Sequence, residues 1–480
     1  MRFLIWKREK EEHPDIAQYL TALAVELEMH QNLEVALVRA AESLDEKAKS
    51  SGKKLFRFLL SSTPVSEHQL VGEPDNPSVI RRAWCLLQRS TKMREGENRH
   101  LTLNQAVGMV LNDLRESTKK FVGKTHLKIL LLYGIGVLAP LILAGLIPAW
   151  TLIGGSANTL HIALIYCGIL PVLVFWLINQ ILAERPPLIQ PPQIPLPPLT
   201  LKMVGFALPS LGILVAARIG GLEGFPLVFA GLWTAVLAIG IVLIIWVKEP
   251  YLRRKRAEEA ESELPDALLE IGSMLKEGLP IEEVLNKTAK TRSGHELGKM
   301  VRRIHATRLM GEDIDQSPAG DSVVSERAWR HLQMVIRLAK RSSEAAGGCI
   351  IRIAHHLKRL EEIKQEIKLA LQELTSSMRS VALFFAPLVI AITARMHEII
   401  EKHGDGFLTS TTSGSAGVVA AFGAYSVILS GLLLYFAVGL ELGDDRIVKR
   451  LAVGIGCIIA LAVFTLSWMA GGVLLTFLAV

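Results

Sequence analysis

The chain has 480 residues, half of them hydrophobic, with 21% charged and a formal net charge of +7; its mean hydropathy is +0.35. Such apolarity and such charge coexist only if they are segregated, and residues 1–126 and 248–377 hold most of the charge. Lys and Arg alternate with Glu there rather than forming a stripe with interleaved aromatics, which argues against a nucleic-acid partner and for an orienting role beside membrane segments. Cys85, Cys167, Cys349 and Cys457 show no paired spacing, so neither a disulfide framework nor a metal knuckle is expected, and no cofactor.

The N-terminal stretch Trp6-Lys7-Arg8-Glu9-Lys10-Glu11-Glu12 lacks the apolar core of a signal peptide, which predicts a cytoplasmic first domain over 1–126. Its last helix, about 104–126, carries Val107, Val110, Leu111, Leu114 and Phe121 at helical spacing. A membrane helix needs about 20 apolar residues. Seven spans are expected, near 127–148, 160–182, 202–218, 226–247, 379–396, 415–440 and 451–479. The third is the weakest, limited by Pro209 and Arg218. Keeping it places Arg185, Lys202, Lys248, Arg253, Arg254, Lys255, Arg256, Arg446, Lys449 and Arg450 inside, as the positive-inside rule demands. The C-terminus then falls outside. Within the first membrane block, 127–247, seven prolines between 186 and 198 preclude helix and predict an extended polyproline linker at 185–200.

A second charged helical domain is expected over 248–378 and a second membrane block over 379–480. Pro265 reads as the first turn of a helix, Gly278-Leu279-Pro280 as its break, and Ile281-Glu282-Glu283-Val284-Leu285 as the next start. Gly347-Gly348 reads as a tight turn. Leu357, Leu360, Ile363, Ile367, Leu371, Leu374 and Met378 then form one apolar stripe on a helix that runs into the fifth span.

The two halves repeat. Pro14-Asp15 returns as Pro265-Asp266, Leu33-Glu34-Val35-Ala36-Leu37 as Ile281-Glu282-Glu283-Val284-Leu285, Arg82-Ala83-Trp84 as Arg327-Ala328-Trp329, and Ala139-Pro140-Leu141 as Ala386-Pro387-Leu388. The order is kept and the offset stays near 247. The repeat covers a domain and its first membrane helix. The matched Pro140 and Pro387 predict a matched pair of kinks.

Enzyme motifs are near misses. Gly123-Lys124-Thr125 lacks the glycine a phosphate loop needs at 118, where Thr118 stands. His397-Glu398-Ile399-Ile400-Glu401 has Glu401 in place of the second zinc histidine. Glu441-Leu442-Gly443-Asp444-Asp445 only partly resembles the motif of intramembrane prepilin peptidases and reads as a short cytoplasmic loop. No charge is expected near the middle of any span, where an ion-coupled transporter normally keeps one.

Leu264-Pro265-Asp266-Ala267-Leu268, the run from Gly278 to Leu285, Ser343-Glu344-Ala345-Ala346-Gly347-Gly348 and Phe384-Phe385-Ala386-Pro387 together resemble the type II secretion system F family of type IV pilus assembly platforms, in the style of its archaeal pilus and archaellum branch. In the first half Arg94-Glu95-Gly96 stands in for the glycine pair. The resemblance implies an all-α integral membrane protein with two homologous cytoplasmic helical bundles, each followed by membrane helices. It implies a non-catalytic platform in the plasma membrane, seated in lipid and homodimeric, that couples a cytoplasmic hexameric ATPase to pilin-like subunits. Glu282, Glu283, Lys358, Arg359 and Glu362 are the expected partner-binding residues; Glu344, Gly347, Gly348, Pro140 and Pro387 are the expected structural motif. A membrane transporter, and after it a prepilin peptidase, are the competing readings.

Overall fold

A computed structural model describes residues 23–24, 26–27, 32–43, 77–93, 97–152, 159–185, 197–198, 208–220, 225–311, 324–340, 343–403, 415–443 and 445–478. The Pro14-Asp15 anchor, Arg94-Glu95-Gly96, Asp444 and all but the end of the proline-rich stretch lie outside the described residues. The described elements are helical: α1 Leu33–Ser43, α2 Pro77–Thr91, α3 Glu97–Tyr133, α4 Ala139–Leu152, α5 Thr159–Leu164, α6 Leu170–Ala183, α7 Leu208–Ile219, α8 Phe225–Lys276, α9 Ile281–Thr291, α10 Glu296–Leu309, α11 Glu326–Ala339, α12 Ser343–Ser380, α13 Ala386–His403, α14 Ser415–Leu442 and α15 Arg446–Leu478. Three five-residue π turns interrupt them: π1 Gly134–Leu138, π2 Ile165–Ile169 and π3 Val381–Phe385.

Among the described residues six helical stretches are long and apolar enough to cross a membrane: Asn98–Leu146, His161–Ala183, Pro226–Lys276, Ser343–Glu398, Ala416–Leu442 and Arg446–Val473. These fit a membrane protein. The seventh expected span corresponds to α7, whose described 12 residues cover about 18 Å at 1.5 Å per residue, short of the ~30 Å hydrocarbon core.

The chain divides into two compact units. One comprises Met1–Lys119, Pro186–Gln193 and Leu252–Ile367; the other comprises Lys120–Arg185, Ile194–Tyr251 and Lys368–Val480.

In the first unit the C-terminal part of α8 is a spine. Leu268, Ile271 and Leu275 are fully buried among Val284, Leu285, Val301, Trp329, Leu332, Ile350 and Ile353 from α9 to α12. The outer face of this spine carries carboxylates, each held by another element. Glu261 accepts from Ser325 (2.8 Å), Glu263 meets His295 (2.5 Å), Asp266 meets Lys358 (3.1 Å) and Glu270 meets Arg292 (3.1 Å).

Two sequence expectations are corrected here. Pro265 does not open a helix: it lies deep inside the 52-residue α8, which also contains the basic run 253–256. An interior proline costs roughly 3 kcal/mol. Each fully buried Leu or Ile contributes about 1.5–3 kcal/mol, and Leu268, Ile271 and Leu275 on the following turns outweigh the break.

Gly347-Gly348 is not a turn either; both glycines lie in the second turn of α12. Gly347 is there because α12 crosses α8 backbone to backbone. A Cβ on it would stand 2.5 Å from the Lys276 nitrogen and 2.7 Å from the Gly272 carbonyl.

The break after α8 is where the sequence puts it. Gly278 (φ +88°) takes the left-handed position that glycine adopts without a Cβ clash. Leu279 N–H then reaches Met274 O (3.2 Å) and Gly278 N–H reaches Leu275 O (3.0 Å), closing the last turn.

The repeat extends to the helices. α1 and α9 begin 248 residues apart, α2 and α11 249, α3 and α12 246, and π1 and π3 as well as α4 and α13 247. Burial recurs at the matched positions: Ala36 and Leu37 answer Val284 and Leu285, while Ala83 and Trp84 answer Ala328 and Trp329, all buried.

Candidate functional site

The second unit is organised by prolines. Pro140, Pro171 and Pro387 each follow a π turn by one residue. In each case the residue before the proline donates its N–H five residues back: Ala139 to Gly134 O, Leu170 to Ile165 O and Ala386 to Val381 O. A proline in an α-helix has no N–H to give and its ring collides with the carbonyl four residues earlier. Widening the preceding turn relieves the collision and leaves carbonyls short of donors.

Those carbonyls find hydroxyls. Tyr425 donates to Gly136 O (2.6 Å), the carbonyl four residues before Pro140. Ser430 donates to Ala382 O (2.6 Å), five residues before Pro387. Both donors sit on α14, both are fully buried, and both serve repeat-related turns. Tyr166, inside π2, donates to Pro140 O (2.7 Å) and stands edge-on to Phe422 and Tyr425, with ring centroids 4.7 and 5.6 Å away. All three π turns therefore meet one face of α14 between Phe422 and Ser430.

α14 is held in place by close helix contacts. Gly431 faces Cys457 and Val453 of α15, and Gly423 faces Leu232 of α8 and Phe464 of α15. Gly240 of α8 and Gly454 of α15 pack backbone to backbone, where small residues let membrane helices approach. At the α14–α15 connection Arg379 pairs with Glu441, and Arg185 donates to Glu441 O (3.1 Å). Burial pulls the Arg185 guanidinium down to about 10.

The expected partner-binding residues fall in two places of the first unit. Glu282 and Glu283 open α9; Glu282 pairs with Arg308 (2.7 Å) at the end of α10, and Glu283 with Lys287 (2.8 Å). The N–H at the helix start and Arg308 hold the Glu282 carboxyl below its ordinary value. Lys358, Arg359 and Glu362 lie on α12 and are exposed. Lys358 is tied to Asp266, and the Arg359 guanidinium lies 3.8 Å from where a Cβ on Gly108 would stand. Arg115 of α3 forms a two-pronged pair with Glu366 (2.8 and 3.0 Å), so α3 and α12 run side by side in the same direction. Glu344 is exposed in the first turn of α12, Gly347 sits in the α8 crossing, and Pro140 and Pro387 are buried behind their π turns.

The near-miss motifs have structural uses. Gly123-Lys124-Thr125 lies inside α3 rather than in a phosphate-cradling loop. Glu398 is buried and paired with Arg395 (2.6 Å), whose guanidinium also stacks over Trp468 (4.8 Å). Asp445 caps α15, accepting from Ile447 and Val448 N–H (3.1 and 3.2 Å). Among the described residues no group of three His, Cys, Asp or Glu side chains gathers as a metal site.

Against this geometry, residues 267–394 match the family model "Type II secretion system (T2SS), protein F". The match runs from the last turns of α8 through α12 and π3 into α13, about a quarter of the chain. It takes in Glu282, Glu283, Glu344, Gly347, Gly348, Lys358, Arg359, Glu362 and Pro387. The chain thus carries a type II secretion system F domain and is related through it to the secretion and type IV pilus platform proteins. No curated protein and no solved structure matches it significantly.

Sequence reasoning missed Tyr166, Tyr425 and Ser430. Their signal was faint: lone hydroxyls in long apolar runs, on helices other than the ones the prolines interrupt.

Proposed function

We propose that the chain is a non-catalytic membrane platform of a type IV pilus-like or type II secretion-like machine, in which a cytoplasmic hexameric ATPase drives the movement of pilin-like subunits from the bilayer into a filament. The observation that carries this reading is the secretion F domain at 267–394, which ends inside an apolar helix that continues α12 without a loop. A helix that passes from charged to apolar sequence without a loop transmits displacement at little entropic loss, since no flexible linker intervenes.

In this reading residues 1–126 and 248–378 are homologous cytoplasmic bundles, the N-terminus is cytoplasmic and the C-terminus external, with α7 completing a seventh span. A homodimer in lipid is the working assembly, in the manner of the archaeal pilus and archaellum platforms. The ATPase reads the charged faces at Glu282 and Glu283 and at Lys358, Arg359 and Glu362. The test is charge reversal at Glu283 and Glu362, which are exposed and outside the domain core. Filament assembly is expected to stop while the protein still inserts in the membrane; normal filaments from both variants would refute the docking assignment.

A further inference from the structure

Ser426 is a buried hydroxyl that stands apart from the others on α14. Its side chain is fully buried on α14, and its Oγ has no hydrogen-bond partner among the described residues. Hydroxyls in apolar helices commonly bond back to the carbonyl one turn earlier. Thr234 and Thr393 do so here, at 2.7 and 2.8 Å. Ser426 does not. It stands one turn before Ser430, which holds the Ala382 carbonyl of π3.

The direction of the helices gives this vacancy a meaning. Residue 379 pairs with 441 and residue 382 with 430, so α14 runs antiparallel to the α12–π3–α13 helix. Moving from Ala382 toward Pro387 therefore means moving from Ser430 toward Ser426. In the register seen, Ala386 N–H takes Val381 O, and Ala382 O is left to Ser430. If π3 closed to an α turn, Ala386 N–H would take Ala382 O instead. The carbonyl left without a donor would then be Leu383, which Pro387 cannot serve. In that direction the Leu383 carbonyl comes one residue, about 1.5 Å, nearer the Ser426 end than Ala382 O.

We propose that π3 is a two-state joint, open with Ser430 holding Ala382 and closed with Ser426 receiving the Leu383 carbonyl. Closing removes one residue from the wide turn. It rotates the helix before it by about 100° and advances it by about 1.5 Å relative to α13. At the first joint Gly136 O is served by Tyr425, whose ring is braced by Tyr166. The switch therefore belongs to the joint inside the secretion F domain.

The test reads helix register alone and does not depend on the platform reading. In the full chain, with Cys85, Cys167, Cys349 and Cys457 replaced, spin labels at Glu373→Cys and Met396→Cys flank π3 at exposed positions. Their separation is measured in lipid nanodiscs by pulsed dipolar spectroscopy. Ser430→Ala is expected to add a second distance, displaced by several ångströms, and Ser430→Ala with Ser426→Ala to lose it. Pro387→Ala, which restores an N–H for Leu383, is expected to favour the second distance even when Ser426 is replaced. An unchanged distribution in Ser430→Ala, or a second distance that survives in the double serine variant, overturns the proposal.

Discussion

The helix from α3 through π1 to α4 and the helix from α12 through π3 to α13 are built to one plan and finished differently. Both place a π turn directly before Ala-Pro-Leu, 247 residues apart, and both rely on α14 for the missing donor. They part at the donor and at the top of the helix. The first joint is held by a tyrosine wedged against a second tyrosine; the second is held by a small serine with an idle serine beside it. Above the second joint α12 begins with Gly347 pressed on the α8 backbone, whereas the position 247 residues earlier is His100. The family match covers the second helix and not the first. The plan sets a proline joint at the end of each long charged helix, and the differences place the close glycine packing at the second.

The largest effects test whether the repeat is structural. Trp84 and Trp329 occupy matched buried positions. Replacing either by Ala is expected to cost about 3–5 kcal/mol, as for buried aromatic side chains generally. Thermal unfolding of the two variants checks this, and a cost at only one site would break the parallel.

The glycine crossing is expected to separate the halves. Gly347→Ala forces a Cβ into the α8 backbone and is expected to lose roughly 1–3 kcal/mol. Its neighbour Gly348→Ala meets only Arg352 Nη1 at 3.6 Å and is expected to gain up to about 1 kcal/mol from helix propensity. Denaturation midpoints of this pair, compared with His100→Ala, show whether the crossing is confined to the second half.

At the joints, Tyr425→Phe and Ser430→Ala each leave a buried carbonyl unserved, at about 1–3 kcal/mol. Hydrogen exchange is expected to rise around 134–138 in the first variant and around 381–385 in the second, with no cross-effect.

The smallest effect is a pH dependence. Burial, with Arg327 and Arg330 nearby, lowers His331 to about 4 from 6.5. The unfolded chain therefore binds more protons between those values, and stability falls as pH drops from about 6.5 to about 4. Two residues beyond Trp84, the matched position holds Leu86. Replacing His331 by Leu should flatten the pH profile, and a slope that persists would place its origin elsewhere.

Much of this was readable in the chain. The apolar stripe of Ile363, Ile367, Leu371, Leu374 and Met378 is buried as its spacing predicts, and Gly278-Leu279-Pro280 ends α8. Pro265 and Gly347-Gly348 misled because both are local breakers overruled by tertiary packing. The proline pair announced kinks but not π turns, because an N–H reaching five residues back is chosen by what surrounds the carbonyl. Tyr425 and Ser430 lie 289 and 48 residues from the groups they serve, beyond any periodicity. Of the candidate docking residues, the charges were legible; that Glu282 and Lys358 are already tied to Arg308 and Asp266 was not.

The most direct test of the account is the affinity of the full chain, in nanodiscs, for the hexameric secretion ATPase of the same cell. Binding by the unaltered protein, weakened at least tenfold by Glu283→Lys with Glu362→Lys and left intact by Glu34→Lys in the first half, is the predicted result. No binding at all, or binding lost through Glu34 and untouched by the other two, would contradict it.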